Sequence, residues 1–218
     1  MTRRLKGRLL LVVAALVAAP AVARTQHGRL FRPEDLGLLE GPDRDEWQRP
    51  EKIMDALGIG EGSVVADLGA GSGWFTIRLA QRVGPNGLVW AEDIQPQMLE
   101  AIDRRKGRYG LKNIQTKLGT ADDPRLPKNA LDAALIVDAY HEMERPVVLL
   151  RNLAGSLKPD GRVAIINAKK DGGGPGPPME ERVDPERVIR DAEAAGLRLL
   201  SRDTFLRYQY MLQFGKRR

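Results

Sequence analysis

The sequence predicts an α/β fold in which helices cover both faces of a mainly parallel sheet. Short apolar or β-branched runs alternate with amphipathic helical segments along the 218-residue chain, as is typical of parallel sheets. The run 133–137 is apolar throughout, which indicates a central strand that is buried on both faces. Two strand-like runs near the C-terminus, 197–201 and 207–214, are close enough in sequence to pair as an antiparallel hairpin.

The remaining elements follow from periodicity, proline and glycine. The first strand begins at 64 and ends at a glycine-rich turn, and Asp45 is a candidate N-cap for the first helix. Further strands are predicted at 87–94, 114–118 and 163–167, and helices at 46–57, 75–83, 96–109, 146–156 and 185–195.

The first 23 residues have the composition of a secretory signal. Four basic residues precede an apolar run at 9–19, and the small residues Ala21-Val22-Ala23 follow it. This run of 11 residues is shorter than the roughly 20 that a membrane-spanning helix needs. We therefore expect residues 1–23 to direct export to the periplasm or outside the cell, with cleavage near Ala23. An uncleaved leader that anchors the chain to a membrane is the alternative.

Charge and cysteine content narrow the possible partners. The net charge is +6, but the leader holds four basic and no acidic residues, so the rest carries about +2. The basic cluster at 104–108 is interpreted as a solvated helix end, where cations complement the helix dipole. We therefore expect no nucleic-acid partner and no membrane contact beyond an uncleaved leader. The chain has no cysteine, which excludes disulfides and a lipid-anchored cysteine.

The most informative segment is the turn after the first strand. Asp67 is followed by glycines at 69, 71 and 73, and a helical pattern begins directly afterwards. Glycine permits positive φ and close approach of a ligand to the backbone, and the helix start offers free N–H groups. The third glycine of a dinucleotide fingerprint would fall at Trp74, which disfavours a nicotinamide dinucleotide. We expect a different nucleoside-containing ligand on this turn.

Carboxylates also follow two other predicted strands. Glu92 and Asp93 end the second strand, where an acid can reach the ribose hydroxyls of a nucleoside held on the first turn. Asp138, Tyr140 and His141 follow the fourth strand at the same edge of the sheet. Ligands bind at this edge in open α/β sheets.

Four segments in this order and spacing resemble the motifs of class I S-adenosylmethionine-dependent methyltransferases. They are Asp67-Leu68-Gly69-Ala70-Gly71-Ser72-Gly73, Asp93-Ile94-Gln95-Pro96, Asp138-Ala139-Tyr140-His141 and Leu157-Lys158-Pro159-Asp160-Gly161. The resemblance runs from about residue 47 to 214. It implies a single-domain, Rossmann-like, doubly wound sheet of seven strands in the order 3-2-1-4-5-7-6 with strand 7 antiparallel. We assign 24–46 to an N-terminal arm and 47–218 to the methyltransferase domain.

The resemblance also implies S-adenosylmethionine as the cofactor. Asp93 is preferred over Glu92 as the ribose-binding acid. Asp122 matches the position that contacts the adenine amino group, although a plain Asp-Asp-Pro turn is a near-equal alternative. His141 is the candidate base and Tyr140 a candidate wall of the transfer channel, and no metal is expected. The implied cofactor-binding residues are Asp67, Gly69, Ala70, Gly71, Gly73, Asp93, Ile94, Ala121, Asp122 and Asp138.

The expected activity is methyl transfer to an unidentified small-molecule acceptor. The segment after the fourth strand departs from the Asn/Asp-Pro-Pro-aromatic form of enzymes that methylate base amines, which argues against DNA bases. The glycine- and proline-rich segment 171–178 is either a lid over the substrate pocket or a plain flexible loop. An exported protein that binds S-adenosylmethionine without transferring the methyl group is the alternative. The sequence leaves the oligomeric state open.

Overall fold

A computed structural model of the protein describes residues 30–217. Its seven-stranded sheet has the order β3-β2-β1-β4-β5-β7-β6, which confirms the predicted α/β fold and strand order. Strands β1 to β5 are parallel, and β7 runs antiparallel to both β5 and β6. The strands are β1 Val64–Leu68, β2 Leu88–Asp93, β3 Ile114–Leu118, β4 Leu131–Val137, β5 Leu157–Ala168, β6 Leu197–Asp203 and β7 Gln209–Lys216.

Six α-helices and three short 3-10 helices belong to the described residues. The α-helices are α1 Arg44–Gln48, α2 Pro50–Ala56, α3 Trp74–Val83, α4 Pro96–Arg108, α5 Pro146–Ser156 and α6 Pro185–Ala194. The 3-10 helices are Pro33–Glu40, Tyr140–Glu142 and Met179–Glu181. Within residues 30–217, no helix is both long and apolar enough to cross a membrane. The predicted signal lies outside the described residues, so export and anchoring remain predictions.

The sheet is buried on both faces. Leu135 and Ile136 are neighbours on β4 and are both fully buried, but they belong to different hydrophobic clusters. One cluster packs α2, α3 and part of α4 against the sheet, and the other packs α5 and α6 against the opposite face. Alternation along the strand explains this division, because successive side chains point to opposite faces. The apolar run of β4 is therefore the centre of both cores.

The prediction of one helix over 46–57 is wrong. The chain forms two helices, because Arg49 adopts a left-handed conformation with φ 51° directly before Pro50. A residue that precedes proline is disfavoured in the α-helical region, so the break lies where the sequence places proline. The predicted N-cap is also wrong, since Asp43 occupies that position and Asp45 pairs with Arg78 at 2.8 Å.

The fifth strand begins earlier than predicted. Leu131 of β4 pairs with Leu157 and Ala133 pairs with Arg162, so the intervening residues of β5 form a bulge. The predicted Lys-Pro-Asp-Gly turn is this bulge, and the strand continues on both sides of it. At the C-terminus the hairpin is confirmed, but β6 extends to Asp203 and β7 begins at Gln209.

The carboxyl ends of β1, β2 and β4 meet at one edge of the sheet. The turn after β1 passes so close to the turn after β4 that a Cβ on Gly69 would lie 2.5 Å from the Ala139 Cβ. Gly69 also has φ 66°, a conformation that side chains rarely adopt. Glycine at this position brings the two turns together and opens the edge to a ligand.

We predict that Leu135→Ala lowers the free energy of unfolding by about 2–5 kcal/mol, because a fully buried side chain leaves a cavity. Urea unfolding followed by circular dichroism measures the change. Leu200→Ala is the control, since Leu200 is 38% exposed on β6, and it should change the free energy by no more than about 0.5 kcal/mol. Equal losses in the two variants would contradict this account of the core.

Candidate functional site

A cavity of about 580 Å³ lies at the carboxyl edge of the sheet. Its size is that of ordinary small-molecule and cofactor sites. It brings together most of the residues that the sequence singles out: Asp67, Gly69, Ala70, Gly71, Asp93, Ile94, Ala121, Asp138 and His141.

Asp93 braces the glycine turn. Its Oδ2 accepts a hydrogen bond from the Gly71 N–H at 3.0 Å, and its Oδ1 accepts one from the Gln95 N–H at 2.9 Å. Burial raises the pKa of Asp93, and the backbone N–H groups that it accepts from oppose the rise. A carboxylate that already orders the turn can accept further hydrogen bonds from a ligand, because each carboxylate has about four acceptor positions.

Glu92 is buried beside it. Its Oε1 has no hydrogen-bond partner among the described residues, and burial followed by the nearby Asp93 raises its pKa to about 8. Gly119 makes this position possible, because a Cβ there would lie 1.7 Å from the Glu92 Oε1. Asp67 is a second buried acid, with a pKa that burial raises to about 6 although Thr76 Oγ1 donates to its Oδ2 at 2.6 Å.

Asp138 lies at the end of a buried hydrogen-bond chain that crosses the fold. Arg44 Nε donates to Gln48 Oε1 at 3.0 Å, and Gln48 Nε2 donates to Gln209 Oε1 at 2.7 Å. Gln209 Nε2 then donates to Asp138 Oδ2 at 2.5 Å. The other oxygen, Oδ1, has no partner among the described residues, and burial raises the pKa of Asp138 to about 6. The chain therefore holds Asp138 by one oxygen and leaves the second for a ligand.

Arg44 is a cavity residue that sequence reasoning missed. Its guanidinium lies 4.2 Å from the centre of the Trp74 ring, and Arg78 lies 3.6 Å from the same ring. It also donates to the Leu39 carbonyl. Burial lowers its pKa, while Asp138 and Asp67 oppose this. No motif points to Arg44, but the indole directly after the glycine turn is a platform on which a cation can stack.

His141 and Glu142 form another part of the wall. Burial lowers the pKa of His141 to about 4, so the imidazole is neutral at pH 7. Burial also raises the pKa of Glu142 to about 7. The Phe31 N–H donates to Glu142 Oε2 at 3.2 Å, and His141 Nε2 lies 3.7 Å from Glu142 Oε1. Sequence reasoning found His141 and missed Glu142, although the two are adjacent.

Two segments outside the strand ends close the cavity. Leu30, Phe31, Leu38 and Leu39 line it from the N-terminal side, where Gln95 Nε2 donates to the Phe31 carbonyl at 3.0 Å. Residues 175–178 line it from the opposite side.

Arg182 anchors the segment 171–178. Its guanidinium donates to the carbonyls of Pro177 at 2.9 Å, Gly173 at 2.9 Å and Gly174 at 3.2 Å. A fourth bond reaches the Lys169 carbonyl at 2.8 Å. Residues 175–178 of this segment are a wall of the cavity, and whether the segment is a lid or a plain loop stays a prediction.

Three predicted site residues are not brought into the cavity. Tyr140 points into the core on the other side, where its hydroxyl donates to Asp191 Oδ2 at 2.7 Å. The carboxylate of Asp122 forms an ion pair with Arg145. Gly73 is the N-cap of α3, with φ 77°, and a Cβ there would lie 2.9 Å from Ile102 Cγ1. Thr120 and Ala121 line the cavity near the position expected of Asp122.

Within residues 30–217, no group of three or more His, Cys, Asp or Glu side chains is arranged to hold a metal ion.

Comparisons with known proteins agree with this geometry. A family model described as a methyltransferase domain matches residues 65–161. The crystal structure of a SAM-dependent methyltransferase from Aquifex aeolicus is 31% identical and has a TM-score of 0.81, and the match covers 85% of this chain and 98% of that one.

Curated relatives include methyltransferases of different substrates. The nocamycin O-methyltransferase of Saccharothrix syringae is 31% identical over 63% of this chain and 47% of its own length. The demethylmenaquinone methyltransferase of Lactobacillus johnsonii is 30% identical over 61% of this chain and 54% of its own length. The matches thus span about half the length of these relatives. With the structural match over 85% of this chain and the seven-stranded order of the sheet, the chain belongs to the class I S-adenosylmethionine-dependent methyltransferases, whose cofactor is S-adenosylmethionine.

Proposed function

We propose that this protein transfers the methyl group of S-adenosylmethionine to a small, largely apolar acceptor. One observation carries the proposal: the Asp93-braced glycine turn, the half-satisfied Asp138 and the buried His141 line a single cavity. The named substrates of the relatives, a menaquinone precursor and nocamycin, support a small molecule as the acceptor class.

The nucleoside half of the cofactor fits the β1 and β2 ends. The Asp93 carboxylate, which is ordered by Gly71 and Gln95, is the proposed partner of the ribose hydroxyls. Hydrogen bonds to a charged group contribute about 1.5–3 kcal/mol each. Ile94 and Met98 offer apolar surface for the adenine, and the backbone at Ala121 is proposed to contact its edge. Because Asp122 does not line the cavity, it is not retained as the adenine partner.

The methionine half fits the groups near Asp138. The free Oδ1 of Asp138 and the buried Asp67 are the proposed partners of the ammonium group, and Arg44 that of the carboxylate. Arg44 and Asp138 are held in place by the same series of hydrogen bonds, which passes through Gln48 and Gln209. The ammonium group of the ligand thus meets carboxylates of the protein, and its carboxylate meets a guanidinium.

The protein's main contribution to catalysis is to align the acceptor. The bound cofactor supplies an activated methyl group, so holding the acceptor in line with it can contribute roughly 7–11 kcal/mol. The N-terminal segment and residues 175–178 line the cavity, and their proposed role is to limit the access of water to the reacting groups. His141 is the proposed base for an acceptor that arrives protonated, since its imidazole is neutral at pH 7 and has a nitrogen lone pair free to take a proton. Its pKa of about 4 makes it a weak base, so it takes the proton only as the bond to the methyl group forms.

Asp93→Ala should weaken the binding of S-adenosylhomocysteine at least tenfold, because the variant loses the proposed ribose contacts and the hydrogen bond that Asp93 accepts from the Gly71 N–H. Isothermal titration calorimetry measures the affinity. Glu193→Ala, an exposed change on α6, is the control and should bind like the wild type. Unchanged affinity in Asp93→Ala would remove Asp93 from the cofactor site.

The affinity for S-adenosylmethionine should rise as the pH increases from 5.5 to 8. The pKa values of Asp67 and Asp138 are raised to about 6 and that of Glu92 to about 8, so these carboxyls ionise over this range and attract a cation. S-adenosylhomocysteine lacks the sulfonium charge and should show a smaller rise. An affinity for S-adenosylmethionine that is flat or falls with pH would refute this electrostatic role.

His141→Ala should leave the affinity for S-adenosylhomocysteine unchanged and lower kcat about 10²- to 10⁴-fold. An acceptor found by screening for S-adenosylhomocysteine release serves for the assay. Full turnover in this variant would show that His141 is not the base.

A further inference from the structure

The cavity wall around Glu142 is acidic. Glu181 faces Glu142 from the 3-10 helix Met179–Glu181, and Asp93 faces it from the end of β2; both raise the pKa of Glu142 in addition to burial. His141 precedes Glu142 on the same 3-10 helix and is neutral at pH 7, and Glu144 lies two residues after Glu142 and lines the same cavity. The Phe31 N–H is the group that lowers the pKa of Glu142, and no cation does so.

The single lining cation of the described cavity is committed elsewhere. Arg44 is the one lysine or arginine among the lining residues of 30–217. Its guanidinium stacks on Trp74, donates to Gln48 and is attracted to Asp138 and Asp67. Arg44, Asp138 and Asp67 are the groups proposed to hold the methionine half of the cofactor. Among the lining residues of 30–217, no other lysine or arginine lies beside Glu142 and Glu181.

The remaining surface near Glu142 is apolar. Phe31, Met143, Leu149 and Pro177 line the cavity, and Leu38 is 78% exposed at the same site. Large exposed side chains of this kind mark a binding surface when they cluster at a cavity. An acceptor in this part of the site thus meets an apolar surface that carries carboxylates.

Resting on the proposed methyltransferase function, we propose that Glu142 and Glu181 select the acceptor by charge. This part of the cavity takes an apolar molecule whose reacting end donates a hydrogen bond. A cationic amine is preferred over a neutral hydroxyl, and a carboxylate is excluded. The bound ammonium must lose a proton before its nitrogen can attack the methyl group, and the groups that can accept this proton are His141, the proposed base, and the Glu142 carboxylate.

The geometry of Glu142 suits this role. The arm holds its Oε2 through the Phe31 N–H at 3.2 Å, which fixes the carboxylate. Its Oε1 lies 3.7 Å from His141 Nε2, which is longer than a hydrogen bond. This oxygen is therefore available for a hydrogen bond that the methyl acceptor donates. In a partly dehydrated site a charge interaction is several times stronger than in water, and an anion is repelled as strongly as a cation is attracted.

Three ligands with one apolar body test the selection. These are 2-naphthylmethylamine, 2-naphthol and 2-naphthoate, titrated by calorimetry at pH 8 into the full chain saturated with S-adenosylhomocysteine. We expect the amine to bind at least tenfold more tightly than the carboxylate, with the naphthol between them. Glu142→Gln should weaken the binding of the amine about tenfold and reduce the difference in affinity between the amine and the carboxylate. Glu193→Gln, an exposed change of equal charge on α6, should do neither.

The pH dependence identifies the group responsible. Because the pKa of Glu142 is raised to about 7, the carboxyl ionises between pH 6 and 8. The affinity for the amine should rise over this range in the wild type and stay flat in Glu142→Gln. The same affinity for S-adenosylhomocysteine in both proteins shows that the variant is folded. Glu181→Gln, on the opposite wall, should narrow the preference in the same direction and provides a second test if Glu142→Gln does not fold.

Naphthoate binding as tightly as the amine would overturn the inference, as would the failure of both the amine and the naphthol to bind. If S-adenosylhomocysteine binds in these experiments, either result leaves the proposed function intact. If S-adenosylhomocysteine does not bind the wild type, the proposed function fails as well.

Discussion

The site depends on buried carboxylates that the protein only partly compensates. Asp67, Glu92 and Asp93 are buried and Asp138 is half-buried at one edge of the sheet, and burial raises the pKa of each. Burying a charge is unfavourable unless it is paired and hydrogen-bonded. Oxygens of Glu92 and Asp138 nevertheless have no partner among the described residues. A cationic, hydroxyl-bearing ligand would supply the missing partners, and S-adenosylmethionine is such a ligand.

The direction of the hydrogen bonds that run from Arg44 through Gln48 and Gln209 explains how Asp138 is positioned. A guanidinium can only donate, so Gln48 turns its oxygen to Arg44 and its amide nitrogen to Gln209. Gln209 is then oriented with its nitrogen facing Asp138. The chain links the N-terminal segment, β7 and the end of β4, which are far apart in sequence. The cofactor site is therefore complete only when the residues before β1 pack against the sheet.

The fold and half of the site could be predicted because their signals are local. The glycine turn, Asp93 and Asp138 lie directly after strands, and parallel strands bring their carboxyl ends together. Proline likewise marks the start of most helices. The predicted helix over 46–57 ran across Pro50, where the structure has a break at Arg49 and begins a new helix. These features require only the order of the elements.

The rest of the site depends on contacts that sequence spacing does not contain. Gln48 meets Gln209 across 161 residues, and Gln209 meets Asp138 across 71 residues, only in the folded chain. Tyr140 shows the converse, because its place beside His141 suggests a site residue while the turn of the 3-10 helix directs it to Asp191.

A crystal structure of the full chain with S-adenosylmethionine tests the central claim most directly. The account predicts that the Asp93 carboxylate lies within about 3 Å of the ribose hydroxyls and that the free Asp138 oxygen faces the methionine ammonium. A cofactor bound elsewhere, or one whose ribose and ammonium avoid these carboxylates, would contradict it.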